Sequence, residues 1–165
     1  MIIIAKVAID GSKITESTKE GHVTYSIENW EVAYYTGGGN DSEGNAIPVI
    51  PHYDWVSGGS GNTGAKIVGT VSCTNKMKVN GKSVAKIGDV TNETWEAYPA
   101  IPTSTSTKRY TATSPISGSG KGSITGGNSK NVKLNDKLVA TVGSEVTTCL
   151  GNKTTIEDGA ETINM

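Results

Sequence analysis

Apolar and polar residues alternate along much of this chain with the period of two that is typical of β-strands. The alternation is clearest from Val23 to Val32 and from Met77 to Ile87. No long stretch keeps apolar side chains at i, i+3, i+4 and i+7, and Gly, Asn or Pro interrupts most windows in which such a pattern begins. The pattern therefore predicts an all-β protein with frequent turns.

The segment from Met77 to Ile87 predicts a β-hairpin. Its centre is Asn80-Gly81, and both residue types accept the positive φ that a two-residue type I′ turn requires. Residues 133–143, KLNDKLVATVG, repeat residues 78–88, KVNGKSVAKIG, with identity at six of eleven positions and Asn135-Asp136 at the turn. This similarity indicates an internal repeat of one hairpin unit.

A third copy of the unit is divided between the two ends of the chain. Ile4-Ala5-Lys6-Val7 resembles the outgoing strand Val84-Ala85-Lys86-Ile87, and residues 155–164 resemble the incoming strand. Pairing of the two ends would complete a third hairpin. We therefore expect a closed arrangement of three hairpins with pseudo-threefold symmetry, in which closure removes exposed sheet edges.

Two insertions of unequal length separate the repeat units. Residues 10–66 contain two apolar strands around a polar turn, which predicts a long hairpin. We expect its large aromatic residues to pack in a core or an interface, and an exposed binding patch is the alternative. These residues are Trp30, Tyr34, Tyr35 and Trp55. Residues 90–121 are rich in Pro, Ser and Thr and predict an extended surface loop, with a disordered linker as the alternative.

Composition favours a single turn-rich domain, residues 1–165, and disfavours non-specific binding to nucleic acid. The chain contains 21 Gly and no Phe, and only 35% of its residues are hydrophobic. Its net charge of −1 provides no basic field for sequence-independent binding to nucleic acid. We expect Cys73 and Cys149 to be buried thiols, with a disulfide in an oxidising compartment as the alternative.

Signals for export and for catalysis are both missing from the sequence. The apolar run Met1 to Ile4 is far shorter than that of a signal peptide or a membrane span, so we expect synthesis in the cytoplasm without a signal peptide. No G-x-S-x-G, H-E-x-x-H or phosphate-binding loop occurs. We therefore predict a non-enzymatic protein with no catalytic residues.

Together, the repeat units and the divided third copy resemble the PAAR-repeat family. Its members form the pointed tip of contractile injection machines such as type VI secretion systems, phage tails and phage-tail-like particles, including bacteriocins. The resemblance covers residues 4–9 with 149–164, 67–89 and 122–144, a little under half of the chain. This resemblance depends on the order of the units, their spacing and their circular closure.

The resemblance implies a small closed cone of three hairpin repeats whose base caps a trimeric β-helical spike, one tip per trimer, and helps to pierce the target cell envelope. One chain would then need the same face three times because its partner presents the same face three times. The protein would be part of a virion, a tail-like particle or a secretion apparatus, delivered outside the cell on contraction.

A module that binds carbohydrate or a cell surface, such as an adhesin, is the alternative from another functional class. In that hypothesis, exposed aromatic side chains stack on sugars. The candidates are Trp30, Tyr34, Tyr35, Trp55 and Trp95. Affinity for a trimeric spike or for glycans would separate the two hypotheses.

Members of the PAAR-repeat family usually hold a metal near the apex through three His and one Cys. Here the histidine that commonly follows the Gly-Asp of the middle unit is absent, since Val90 follows Gly88-Asp89. A tetrahedral site needs about four N or S ligands. The candidate ligands are Cys149, His52 and His22, with Cys73 in an unfamiliar position. We therefore expect no cofactor, and zinc or iron bound by these residues is the alternative.

Overall fold

The computed structural model describes residues 4–163 and is all-β, as predicted. The described residues form β1 Ile4–Val7, β2 Ser17–Gly37, β3 Val49–Ser72, β4 Lys78–Val79, β5 Lys82–Ser83, β6 Val90–Tyr98, β7 Lys108–Ala112, β8 Ser117–Ile124, β9 Lys133–Leu134, β10 Lys137–Leu138, β11 Glu145–Thr147, β12 Lys153–Thr155 and β13 Ala160–Ile163. Within this part of the chain there is no helix long and apolar enough to cross a membrane. Residues 1–3 of the N-terminal apolar run and Asn164 of the third repeat lie outside the described residues.

Seven strands form one curled sheet, and six form three hairpins. The sheet has the order β12-β11-β8-β6-β3-β2-β7, and the hairpins are β4-β5, β9-β10 and β1-β13. In the third hairpin the first described strand pairs with the last, with Ile4 opposite Ile163 and Val7 opposite Ala160. The prediction that the two ends of the chain complete a hairpin is confirmed.

The three hairpins converge on a closed ring of backbone hydrogen bonds. The Ala8 N–H donates to the Ala140 carbonyl at 2.9 Å, Ala140 N–H to Ala85 at 2.9 Å, and Ala85 N–H to Ala8 at 2.8 Å. All three alanines are fully buried. The neighbouring residues form three single bridges, Val7 with Thr141, Ile9 with Val84 and Lys86 with Val139. The ring therefore has the pseudo-threefold symmetry expected from the repeat.

The same turn follows each alanine of the ring. After Ala85, the Asp89 carboxylate accepts the Lys86 N–H at 2.9 Å, and the Asp89 N–H donates back to the Lys86 carbonyl at 3.1 Å. The hydroxyls of Ser12 and Ser144 accept the equivalent N–H groups, each at 2.9 Å. A glycine at positive φ, a conformation that glycine adopts without strain, precedes each of these residues: Gly11 at 91°, Gly88 at 95° and Gly143 at 92°.

The position of the first strand in this symmetry differs by three residues from the prediction. Val7-Ala8, rather than Ile4-Ala5, occupies the place of Val84-Ala85 and Val139-Ala140 in the ring. Both N-terminal pairs have the right residue types, but only Val7-Ala8 is followed at the repeat distance by the turn residues Gly11-Ser12. The turn, and not the strand sequence, therefore specifies the register of this repeat.

Two hydrophobic clusters lie on opposite sides of the ring. Successive side chains of an extended segment point in opposite directions. The three valines that precede the ring alanines accordingly pack with the hairpins, whereas the alanines pack with the large sheet. The first cluster contains Val7, Val84, Val139 and Ala160, and the second contains Ala8, Ile14, Val71, Ala85, Ile124, Ala140, Val146 and Ile156. The hairpins thus form one end of the molecule, and the sheet begins on the other side of the ring.

Strands β2 and β3 form the long hairpin predicted within residues 10–66. Their pairing runs from Ser17 opposite Ile67 to Gly37 opposite Val49. Strand β7 pairs with β2 only from Tyr25 to Asn29, and β6 pairs with β3 only from Gly64 onward. In the strand register, residues 30–37 and 49–55 pair only with each other, and we call them the ribbon. The ribbon strand of residues 30–37 is therefore about 26 Å long, at about 3.3 Å per residue. At its base the Trp30 N–H also donates to the Thr107 carbonyl at 2.8 Å.

The prediction of a surface loop over residues 90–121 is wrong. Most of this segment lies in strands, and β6 is inside the sheet between β3 and β8. The Pro, Ser and Thr content is the reason for the error, because it resembles that of a flexible loop, and the alternate glycines of β8 give no strand signal either. A Cβ at Gly118, Gly120 or Gly122 would lie 2.7, 2.8 or 2.1 Å from a side-chain atom of Trp95, Cys149 or Glu93. These glycines allow close packing in a strand.

Replacement of Ala85 by Leu should lower the free energy of unfolding by about 1–3 kcal/mol, because the fully buried ring has no space for a larger side chain. Chemical denaturation monitored by circular dichroism measures the effect. Ala112→Leu, on an exposed strand position, is the matched control and should change stability by less than about 0.5 kcal/mol. Equal stability of the two variants would show that the ring tolerates the added volume.

Candidate docking platform

The end of the molecule that carries the three hairpins is the candidate functional site, and we call it the platform. It comprises residues 75–83, 130–138, 158–163 and 4–6, three equivalent units arranged around the ring. Each unit presents a short hairpin strand pair in the same relation to a ring alanine. A surface of this kind offers one face three times to a partner.

The two continuous hairpins have the turn geometry that their sequences require. Asn80 and Gly81 have φ of 52° and 76°, and Asn135 and Asp136 have φ of 53° and 62°. The strands pair directly around each turn, with Val79 opposite Lys82 in the first hairpin. Positive φ at both central residues matches the right-handed twist of the flanking strands.

Two asparagine amides fasten these hairpins to the ring. The Asn75 side-chain amide donates to the Val84 carbonyl at 2.8 Å and to the Asp89 carboxylate at 2.9 Å. The Asn128 amide donates to the Val139 carbonyl at 2.8 Å, and its oxygen accepts the Val132 N–H at 3.1 Å. Each asparagine amide thereby holds its hairpin next to a ring alanine, Ala85 in the first hairpin and Ala140 in the second. The sequence repeat contained no signal for these contacts, because the two asparagines do not align.

The platform is basic, although the chain as a whole is slightly acidic. It carries seven exposed lysines and three exposed acids, a formal charge of +4, and the net charge of −1 leaves −5 for the rest of the chain. The lysines are Lys6, Lys76, Lys78, Lys82, Lys130, Lys133 and Lys137, and the acids are Asp136, Asp158 and Glu161. Among the described residues, none of these lysines lies within ion-pair distance of a carboxylate.

The ribbon has one apolar face and one mixed face. The register places Trp30, Val32, Tyr35, Val49, Pro51, Tyr53 and Trp55 on the first face, and Glu31, Tyr34, Thr36, Ile50, His52 and Asp54 on the second. Exposure reaches 41% at Trp30, 57% at Tyr34 and 65% at Tyr35. The expectation that Trp30, Tyr34 and Tyr35 pack in a core is therefore wrong, and Trp55 is half-buried. Packing of these residues in an interface stays a prediction. A two-stranded ribbon has no neighbouring layer that could cover them.

Aromatic contacts order the side chains on both faces of the ribbon. Trp30 lies 5.5 Å from Trp55 and 6.4 Å from Tyr53, measured between ring centroids. The Arg109 guanidinium lies 4.4 Å from the centroid of the Trp55 ring and 2.8 Å from a Glu28 carboxylate oxygen. On the other face, His52 stacks on Tyr34 at 4.5 Å. The exposed rings thus form an ordered surface.

The candidate metal ligands are not brought together. His52 lies on the ribbon, where Nε2 is 2.6 Å from the Thr36 hydroxyl, and His22 packs edge-on against Trp95 at 4.8 Å. Cys149 lies beside Glu93, and Cys73 beside Ser83. In residues 4–163 no three His, Cys, Asp or Glu side chains are grouped so that they could hold a metal ion. The residues present do not fit the zinc or iron site that the family resemblance implies.

A buried carboxylate occupies the position where Cys149 meets the sheet. Glu93 is only 3% exposed, and it accepts the Cys149 N–H at 2.7 Å and the Thr91 hydroxyl proton. Burial, followed by a hydrogen bond to Glu93, raises the pKa of the Cys149 thiol to about 11. Burial also raises the pKa of Cys73 to about 12, with the charges of Asp89 and Asp10 adding to the effect. Both cysteines are free thiols.

Native Cys149 and Cys73 should react with iodoacetamide at pH 8 at least about tenfold more slowly than in urea. A thiol with a pKa near 11 is about 0.1% thiolate at that pH, whereas an ordinary thiol with a pKa of about 8.5 is about a quarter ionised. Mass spectrometry of peptides after timed labelling measures each rate. Labelling of native Cys149 as fast as in urea would contradict the effect of Glu93 and burial.

Comparison with protein-family models, with curated proteins and with solved structures found no match to this chain. The function is therefore inferred from the geometry of the platform and the ribbon, together with the sequence resemblance described above.

Proposed function

We propose that this protein is a non-enzymatic tip that caps the trimeric central spike of a contractile tail or injection machine. The observation that carries the proposal is the ring of Ala8, Ala85 and Ala140, which arranges three hairpins of one chain around a pseudo-threefold axis. A trimeric partner matches this arrangement, because it presents three equal surfaces around one axis.

Docking of the platform would also satisfy backbone groups on both sides. Two of the hairpins consist of two-residue strands and the third of four-residue strands, so all three have short edges. The end of a β-helical trimer has three unpaired strand ends, and strand-to-strand contact is a common way to pair them. One tip per spike follows from the matching symmetry.

The sheet and the ribbon would then lie on the distal side of the tip. The ribbon begins on the sheet side of the ring, away from the hairpins. In a contracting machine this part would meet the target envelope first, after assembly in the cytoplasm and delivery outside the cell.

The purified protein should bind the trimeric spike protein encoded beside it as one chain per trimer, because one pseudo-threefold platform matches one threefold end. Light scattering after gel filtration gives the mass of the complex. Tyr35→Ala, which alters only an exposed ribbon side chain, should bind as the wild type does. A complex with three tips per trimer, or no complex at all, would contradict the proposal.

Binding to a glycan surface is a second candidate function, and the exposed apolar face of the ribbon favours it. Trp30 and Tyr53 lie nearly parallel, with 22° between their planes, on a face without neighbouring layers. Exposed parallel rings of this kind can stack on sugars, with their polar groups free to form hydrogen bonds. This function would use the ribbon and not the platform.

If the protein is a spike tip only, titration with soluble cell-wall glycan fragments should leave tryptophan fluorescence unchanged. Saturable binding that is lost in Trp30→Ala/Tyr53→Ala would support the second candidate instead. Tyr34→Ala is the matched control, because Tyr34 is equally exposed but lies on the opposite face of the ribbon. Retention of binding in all variants alike would indicate a site away from the ribbon.

A further inference from the structure

We propose that the platform recognises an acidic surface, so that the end of the trimeric spike presents carboxylates opposite the hairpins. The inference rests on the proposed function and adds the charge of the partner to it. All seven lysines of the platform are exposed, and within the described residues none has an ion-pair partner of its own. They are available for a partner with negative charge.

The lysines follow the pseudo-threefold symmetry in two of the three hairpins. Lys78 and Lys133 occupy equivalent positions before the turn, and Lys82 and Lys137 equivalent positions after it. Equivalent charges around an axis match a partner that repeats one charged group around the same axis. Lysines on short strands also discourage aggregation of edges, but that role requires no particular sign on the partner.

The third hairpin breaks this charge pattern at two positions, and at one of them Ala5, opposite Thr162, takes the place of Lys82 and Lys137. Ala160 lies opposite Val7 as Met77 lies opposite Val84, so Glu161 takes the place of Lys78 and Lys133. Glu161 is exposed. An acidic trimer would therefore meet attractive charge at two hairpins and an unfavourable carboxylate at the third. A change of Glu161 to lysine would complete the threefold pattern at the position of Lys78 and Lys133.

The charge of the rest of the chain favours the same orientation. The remaining residues carry a formal charge of −5, including Glu28, Glu31, Asp41, Glu43 and Asp54 in the long hairpin and its turn. An acidic partner is repelled from this part of the molecule and attracted to the platform. Long-range electrostatic attraction would thus turn the platform toward the spike before the hairpins contact it.

Glu161→Lys should tighten binding to the purified trimeric spike by about threefold, and Lys82→Glu/Lys137→Glu should weaken it by about tenfold. Lys108→Glu/Lys121→Glu is the control with the same change in net charge, at exposed lysines outside the platform, and should change affinity by less than about twofold. Biolayer interferometry with immobilised spike gives each dissociation constant, and thermal melting verifies that each variant is folded.

Salt provides an independent measurement on the unmodified protein. The dissociation constant should rise by about tenfold between about 0.05 and about 0.3 M NaCl, because exposed charge pairs are screened. If the wild type binds the spike but Glu161→Lys weakens binding and salt has no effect, the charge inference fails and the spike-tip function stands. If the wild type does not bind at either salt concentration, the proposed function itself fails.

Discussion

Three hydrogen bonds between Ala8, Ala85 and Ala140 are the constraint on which the rest of this structure depends. They join three segments that are far apart in the sequence, and the ring closes only when all three segments are in place. Alanine suits the position because three Cβ atoms fit near one axis, whereas larger side chains would overpack it. The valines on one side and the sheet core on the other stabilise the ring but do not create its symmetry.

Local sequence was sufficient to predict the parts of the fold that depend on short-range conformation. Asn80-Gly81 and Asn135-Asp136 specify their turns through backbone preference alone. The repeat of these hairpins, with the related ends of the chain, was enough to predict closure. The register of the first strand was not predicted, because Ile4-Ala5 and Val7-Ala8 are equivalent as strand residues and differ only in their distance from the Gly11-Ser12 turn.

Features that depend on distant neighbours could not be predicted from the sequence. The glycines of β8 resemble a linker until Trp95, Cys149 and Glu93 are placed beside them. The aromatic residues of the ribbon resemble core residues, since nothing in the sequence indicates that β6 and β7 end before reaching them. The basic character of the platform is also a tertiary property, because its lysines lie in three separate segments of a chain with almost no net charge.

The closure of the ring also determines at which point of synthesis the platform can form. Ala140 is 132 residues beyond Ala8 in the chain, and β13 pairs with β1 from the opposite end. A nascent chain on the ribosome therefore has neither a complete ring nor a third hairpin until Ala140 and then residues 160–163 have emerged. Contacts of such long sequence separation form late and slowly in folding. Unfinished chains thus lack the symmetric face, so a truncated copy would not present the threefold platform.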